Sequence, residues 1–209
     1  MMLRRSAFFT VGLFILTMGV SLIIKSGLGA SAWDALAVGQ SKMFDITVGT
    51  AVFTNGIVLI ALNAIIMKKR PDVLATLTIF VIGLLIDFWL LIILSDFAPV
   101  MMVNQFIALG IGILTVGLGV AIYLQAKFPA SPMDTLMVAI HTRFGLNLRN
   151  SRIISEGFAL TLAFLFKGDI GIGTILVTVL LGFVVQFMYP IFEQLFEKKS
   201  IPKAAVSAE

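Results

Sequence analysis

Long apolar runs separated by short polar stretches set the pattern of this chain. Six runs stand out: Phe8–Ile24, Val48–Met67, Val73–Leu94, Met101–Gln125, Ile153–Phe166 and Ile170–Phe192. A helix needs about 20 apolar residues to cross roughly 30 Å of hydrocarbon, and most of these runs reach or approach that length. The fifth is the weakest, being short and carrying Glu156 near its start. Two stretches of another kind lie between the runs. Ala30-Ser31-Ala32-Trp33-Asp34-Ala35-Leu36 returns one hundred positions later as Ala130-Ser131-Pro132-Met133-Asp134-Thr135-Leu136, with alanine, serine, aspartate and leucine at the same four places.

Both stretches predict helix starts. Ser31 and Asp34, like Ser131 and Asp134, have the spacing of a capping box, in which the serine oxygen accepts from the third helical amide. An acid in the first turn also suits the positive end of the helix dipole. Pro132 at the first helical position costs no hydrogen bond. Each helix, 31–44 or 131–145, is about 14 residues or roughly 21 Å long, too short to span a bilayer. Such a half-helix lies in the interface, or re-enters the membrane where other protein satisfies its backbone. Gly27-Leu28-Gly29 and Phe128-Pro129 supply the chain breaks before them.

The repeat extends beyond the two boxes. Gly12, Leu16, Thr17 and Gly19 match Gly110, Leu114, Thr115 and Gly117, and Gly83, Asp87 and Phe88 match Gly182, Gln186 and Phe187. The offset drifts from 98 through 100 to 99. Each unit, 1–98 and 99–197, reads span, break, half-helix, span, span, and 198–209 forms a polar cytoplasmic tail. Three spans are an odd number, so the second unit lies upside down relative to the first. The expected fold is an all-α integral membrane protein with six transmembrane helices in two inverted three-helix repeats. Each repeat includes one short re-entrant or interfacial half-helix.

A mean hydropathy of +1.08, 59 % hydrophobic residues and 12 % charged residues exclude a soluble domain, where about 25 % charge is usual. With no cysteine there is no disulfide framework, thiolate metal site or cysteine nucleophile. The net charge of +4 does not point to nucleic acid, because the basic residues cluster at the ends of apolar runs. With the N-terminus inside, Arg4, Arg5, Lys68, Lys69, Arg70, Lys127, Arg143, Arg149, Arg152, Lys198, Lys199 and Lys203 are cytoplasmic. Only Lys25, Lys42 and Lys167 fall outside, which is the positive-inside bias of a multi-pass protein with both termini cytoplasmic. Arg4-Arg5 before an apolar run resembles a signal peptide, but no good cleavage site precedes Gly27, so the segment is read as a retained first helix.

The candidate site residues are Ser31, Asp34, Asp87, Ser131, Asp134, His141, Glu156 and Gln186. An acid within the membrane is costly unless paired or hydrated. Asp34 and Asp134 are either plain caps or carboxylates turned to a polar cavity to bind a cation or carry a proton. Asp87 lies deep in the third run, with Gln186 at the matching place. It either pairs with Asn55, Asn63 or Lys25 or serves function. Glu156 forms an i,i+4 pair with Arg152 or lines an inner vestibule with Arg143 and Arg149. His141 stands seven residues after Asp134 on the same face, as an interface hydrogen-bonder or a proton carrier. No second histidine or cysteine accompanies it, so no metal site is expected. Gly12, Gly19, Gly110, Gly117, Gly171 and Gly173 suit close helix packing, and Trp33 and Trp89 are interfacial anchors or cavity walls.

Gly27-Leu28-Gly29-Ala30-Ser31-Ala32-Trp33-Asp34, Thr47-Val48-Gly49-Thr50, the basic loop Lys68–Arg70 and Pro129-Ala130-Ser131-Pro132-Met133-Asp134 together resemble the YczE/YyaS/YitT group of bacterial integral membrane proteins. The likeness covers nearly the whole chain and is most specific in the glycine-to-aspartate run. It implies a bacterial inner-membrane protein and carries no substrate or catalytic residue across.

The expected function is a transporter or channel-like permease for a small solute, coupled to a cation or proton, with the half-helix tips forming the central site. The alternative is a non-transporting scaffold or regulatory partner of another membrane protein. An intramembrane enzyme fits poorly, because Asp134-Thr135-Leu136 lacks the glycine of an aspartic protease and no Ser/His/Asp set is visible. No cofactor is expected. The partners are the lipid bilayer, a small solute or ion and, in an assembly, a second copy of the chain.

Overall fold

The computed structural model of the chain describes residues 2–126, 128 and 131–198. Lys127, Pro129, Ala130 and the tail from residue 199 lie outside the described residues, as do the side chains of Arg4 and Lys198. The described residues form α1 (Met2–Ser26), α2 (Ala32–Phe44), α3 (Val48–Met67), α4 (Val73–Asp87), α5 (Met102–Leu124), α6 (Pro132–Phe144), α7 (Leu148–Leu165) and α8 (Ile172–Lys198). A π-helical turn, Phe88–Ile93, continues α4.

Local chemistry fixes the ends of α2 and α6. Ser31 and Ser131 are their N-caps, with the hydroxyl oxygens accepting from the Asp34 and Met133 amides. Both helices run 13 residues and end on a left-handed residue, Asp45 at φ 54° and Gly145 at φ 68°. Thr47 and Asn147 then cap α3 and α7. The caps of the two short helices and of the helices after them thus recur one hundred residues apart. Each short helix packs on the long helix that follows it. α2 also packs on α7, and α6 on α3.

Among the described residues five helices are long and apolar enough to cross a membrane: Arg5–Ser26, Val48–Met67, Val73–Ile93, Met102–Leu124 and Ile172–Gln194. α7, which holds the fifth run, is not among them. Its 18 residues include Arg149, Arg152 and Glu156, so its first turns are polar. The six-span count expected from the apolar runs therefore stands at five on length and composition.

The most extensive pairing is α1 with α5. A Cβ on Gly12 would stand 2.5 Å from the Tyr123 amide nitrogen, and one on Gly19 2.5 Å from that of Val116. From the other side Gly112 approaches Ile23 and Gly119 approaches Leu16. Small residues let the two backbones meet, which is how helices associate without a hydrophobic driving force. The glycines that face Gly12 and Gly19 across this seam are therefore not Gly110 and Gly117. No atom lies within 4 Å of where a Cβ on Gly110 would stand, and Gly117 meets Val184 of α8. Gly112 and Gly119 repeat the seven-residue spacing of Gly12 and Gly19 at an offset of 100, the offset of the caps. Gly171 and Gly173 instead meet the backbone at Leu28 and Gly29.

A pair of side-chain amides joins two helices inside the bundle. Gln40 Nε2 donates to Asn55 Oδ1 at 3.0 Å and Asn55 Nδ2 returns to Gln40 Oε1 at 2.7 Å, joining α2 to α3. Asn55→Leu strands the Gln40 amide and is expected to cost about 1–3 kcal/mol, with Gln40→Leu/Asn55→Leu recovering part of it. Thermal unfolding of both variants in detergent checks this, and equal losses in the two would speak against coupling. Trp33 packs between the main core and a cluster of Leu59, Leu136 and Ile140. Trp89 is buried with its ring 4.7 Å from Phe14.

Candidate functional site

The two capped tips face one space. Asp34 of α2 and Asp134 of α6 both line a cavity of about 520 Å³, to which every long helix also contributes. Leu13, Val52, Ile82 and Val120 are among its apolar walls, from α1, α3, α4 and α5. Its polar lining is Asp34, Thr78, Tyr123, Ser131, Asp134, Arg152, Gln186 and Tyr189. That size and mixture suit a small-molecule pocket, which usually has apolar walls and a few convergent polar groups.

The two boxes are alike in sequence and differ in bonding. The Ser31 hydroxyl donates to Asp34 Oδ2 at 2.5 Å while its oxygen accepts the Asp34 amide at 3.4 Å. The first carboxylate is thereby held against its own cap. In the second copy the Ser131 oxygen accepts from the Met133 amide at 3.2 Å and its hydroxyl points at Met133 Sδ. Among the described residues no hydrogen bond or ion pair reaches the Asp134 carboxylate, which faces the cavity. Arg152 and Glu156 act on it electrostatically from α7.

The other expected site residues divide. Ser131 and Gln186 are in the cavity wall with the two acids. Asp87 is not. Its Oδ1 accepts from the Gly49 amide at 2.7 Å and its Oδ2 from the Thr47 hydroxyl at 2.6 Å, at the N-terminus of α3. The partners considered for it are engaged elsewhere: Asn55 with Gln40, Asn63 with the Pro132 carbonyl, Lys25 with the Ser95 carbonyl. His141 Nδ1 contacts the Leu146 carbonyl oxygen at 2.5 Å and ties the end of α6 to the following turn. Glu156 accepts from Arg152 Nε at 2.8 Å, the i,i+4 pair of the plainer reading. Arg143 and Arg149 are exposed.

Arg152, Thr78, Tyr123 and Tyr189 belong to the lining and were not singled out by motif. The tyrosines carried a signal, being the only two in the chain. A phenol offers an apolar body and a polar tip, which suits a wall that is both.

Comparison with known proteins places the chain among membrane proteins without assigned activity. A family model described as "Family of unknown function (DUF6198)" matches residues 3–190. "Uncharacterized protein YyaS" of Bacillus subtilis is 39 % identical over 92 % of this chain and 96 % of its own length. "Uncharacterized membrane protein YczE" of the same organism is 33 % identical over 89 % of this chain and 86 % of its own. An "Uncharacterized protein" of Haemophilus influenzae is 34 % identical over 88 % and 82 %. No solved structure matches the chain. The chain, a helical membrane protein, thus belongs to the YczE/YyaS-like family that carries the description "Family of unknown function (DUF6198)".

Proposed function

We propose that the protein carries a small solute across a bacterial inner membrane, coupled to a cation or a proton. The observation that carries this reading is the meeting of Asp34 and Asp134, each in the first turn of a half-helix, in one cavity of about 520 Å³. Broken helices whose ends converge inside a bundle form the substrate and ion sites of inverted-repeat transporters. Supporting the inverted repeat are the caps one hundred residues apart, the reciprocal packing of α2 on α7 and α6 on α3, and the basic residues gathered on one side. α7 counts as the sixth span in this reading. Its 18 residues extend about 27 Å, close to the hydrocarbon thickness, and it packs between α2 and α6.

The carboxylates divide the work. Ser31 occupies one oxygen of Asp34, so Asp34 shapes the site. Asp134, which no hydrogen bond or ion pair reaches among the described residues, takes the cation or proton. The apolar walls receive the body of the solute. Of Asp34, Asp87 and Asp134, only Asp87 has both carboxylate oxygens bonded, the surroundings that a non-transporting scaffold calls for.

Proteoliposomes with an entrapped pH-sensitive dye, given gradients of sugars, amino acids, organic cations or organic anions, test the proposal. One class is expected to move with protons or a cation. Asp134→Asn removes a charged partner, an interaction of about 1.5–3 kcal/mol, and is expected to slow that movement at least about tenfold with normal membrane yield. Native flux from the Asp34→Asn/Asp134→Asn double variant would end the role given to these acids.

A further inference from the structure

Of the two acids in the wall of the central cavity, Asp34 has one oxygen bonded by the Ser31 hydroxyl. Asp134 meets no hydrogen bond or ion pair among the described residues. It is an exposed residue in the first turn of a helix that buries Pro132, Leu136, Ala139 and Ile140. A residue that lines the cavity and is exposed presents its surface to that space. The Asp134 carboxylate is thus the charged group best placed to meet whatever enters.

The charges around it are unequal. α6 packs on α3 and α7. α3 carries no titratable side chain. α7 brings Arg152, itself in the wall, and Glu156 close enough to act on Asp134, and these two are bonded to each other at 2.8 Å. Across the cavity stand Asp34 of α2, Tyr123 of α5 and Tyr189 of α8. Arg152 and Glu156 offset one another, which leaves two carboxylates without a matching positive charge among the described residues. An anion entering here would meet both in surroundings that screen poorly. A cation would meet them together with two phenol rings, whose faces also attract positive charge. No three acids or histidines gather among the described residues as the ligands of a metal ion would. Much of the wall is aliphatic, Leu13, Val52, Ile82 and Val120 included. The positive charge that suits this space is one carried on an apolar body.

We propose that the solute is an organic cation with an apolar body, and that its positive group and a proton take turns on the Asp134 carboxylate, so that the protein exchanges one for the other. This rests on the carrier reading and names its solute class and its direction of coupling. When the cation arrives, the Asp134 O–H bond breaks, the carboxylate remains as its counter-ion and the proton leaves to water. Return of the proton releases the cation. Each partner weakens the other's binding by the same factor, so the two cross in opposite directions.

Benzyltrimethylammonium is the probe, since its charge is permanent and its ring apolar. Calorimetric titration of the purified full chain in detergent, in two buffers of different protonation enthalpy, reads affinity and proton release together. The cation is expected to bind, to release a proton and to bind more weakly as the pH is lowered. Phenylacetate, with the same ring and the opposite charge, is expected to bind at least about tenfold more weakly. The free amino acid phenylalanine, which adds a carboxylate that Arg152 could hold, is also expected to bind more weakly than the cation. Asp134→Asn is expected to lower the affinity for the cation at least about tenfold and to abolish the proton release and the pH dependence. The ranking of the probes and the proton release are read on the native chain, so they decide the matter even if that variant does not fold. Equal or tighter binding of phenylacetate or phenylalanine, or cation binding that neither releases a proton nor changes with pH, overturns the inference. In proteoliposomes with an entrapped pH-sensitive dye, inward movement of the cation is expected to raise the lumen pH. A fall in lumen pH would mean movement in the same direction, which overturns the exchange and leaves the carrier reading in place. Binding with proton release but no flux upholds the shared carboxylate and removes the carrier reading. Flux of another solute class without binding of the cation does the reverse.

Discussion

Gly19→Leu is expected to cost this protein more than about 3 kcal/mol, beyond the usual range for overpacking, because the atoms in the way are backbone. A Cβ at position 19 would stand 2.5 Å from the Val116 nitrogen and 2.8 Å from the Gly112 carbonyl oxygen. Neither can swing aside as a flexible side chain does. α1 and α5 would have to part along the seam that buries Leu13, Ile23, Leu109 and Ile113. The matched control is Gly110→Leu on α5, where nothing lies within 4 Å of the new Cβ. There leucine gains helix propensity, about 0.8 kcal/mol over glycine, and faces open space. Thermal melts followed by gel filtration in detergent compare the two. A midpoint about 10 °C lower is expected for Gly19→Leu, with little change for Gly110→Leu. Equal melting of the two variants would show that the seam is not the support described here.

The same glycines mark where sequence stops being a guide. Gly110 and Gly117 share leucine and threonine neighbours with Gly12 and Gly19, so identity favours that match. α5 carries a second series, Gly112 and Gly119, with the same spacing on another face. Only the partner helix decides which series is the contact, and a partner is not written in a local pattern. The half-helices were legible for the opposite reason. A serine cap and a first-turn acid are local, and both helix starts fall where the residues predict, although Ser131 bonds the Met133 amide where the spacing points to that of Asp134. α7 was less so, since its polar first turns weaken the apolar signal that a span leaves.

The site shows the same division. That Asp34 and Asp134 open helices could be read from spacing. That only Asp134 is left bare depends on Met133, whose amide and sulfur occupy the Ser131 hydroxyl group. Asp87 was visible as an acid in an apolar run. Its partners, Thr47 and Gly49, lie 40 and 38 residues away and look like an ordinary helix start. Asp87 is thus committed to helix packing, and of the two acids in the cavity wall Asp134 is the one that no hydrogen bond or ion pair reaches among the described residues.

The position of the first tip is the second feature on which the molecule should prove sensitive, and Gly29 controls it. Gly29 has φ +106°, a conformation that residues with a Cβ rarely adopt, and a Cβ there would stand 2.5 Å from the Gly171 nitrogen. The neighbouring backbone is stitched to the start of α8 and the loop before it. The Gly173 amide donates to Leu28 O at 2.7 Å, and the Ala30 amide donates to Asp169 O at 3.0 Å. Gly29→Ala therefore adds backbone strain of about 1–3 kcal/mol to a clash that only movement of this junction relieves. Ser31 and Asp34 follow directly, so relief draws the tip off the cavity. A midpoint lowered by about 10 °C is expected and, on the carrier reading proposed above, loss of solute movement with it. Gly27→Asn is the comparison. Its φ of +71° lies in the left-handed region that asparagine tolerates, and only Gln105 Nε2, 3.7 Å away, comes near the new Cβ. It is expected to melt within a few degrees of the native chain and, on the same reading, to keep its flux. Tolerance of alanine at 29 equal to that of asparagine at 27 would mean that the break does not position the tip, and that Asp34 reaches the cavity by some other support.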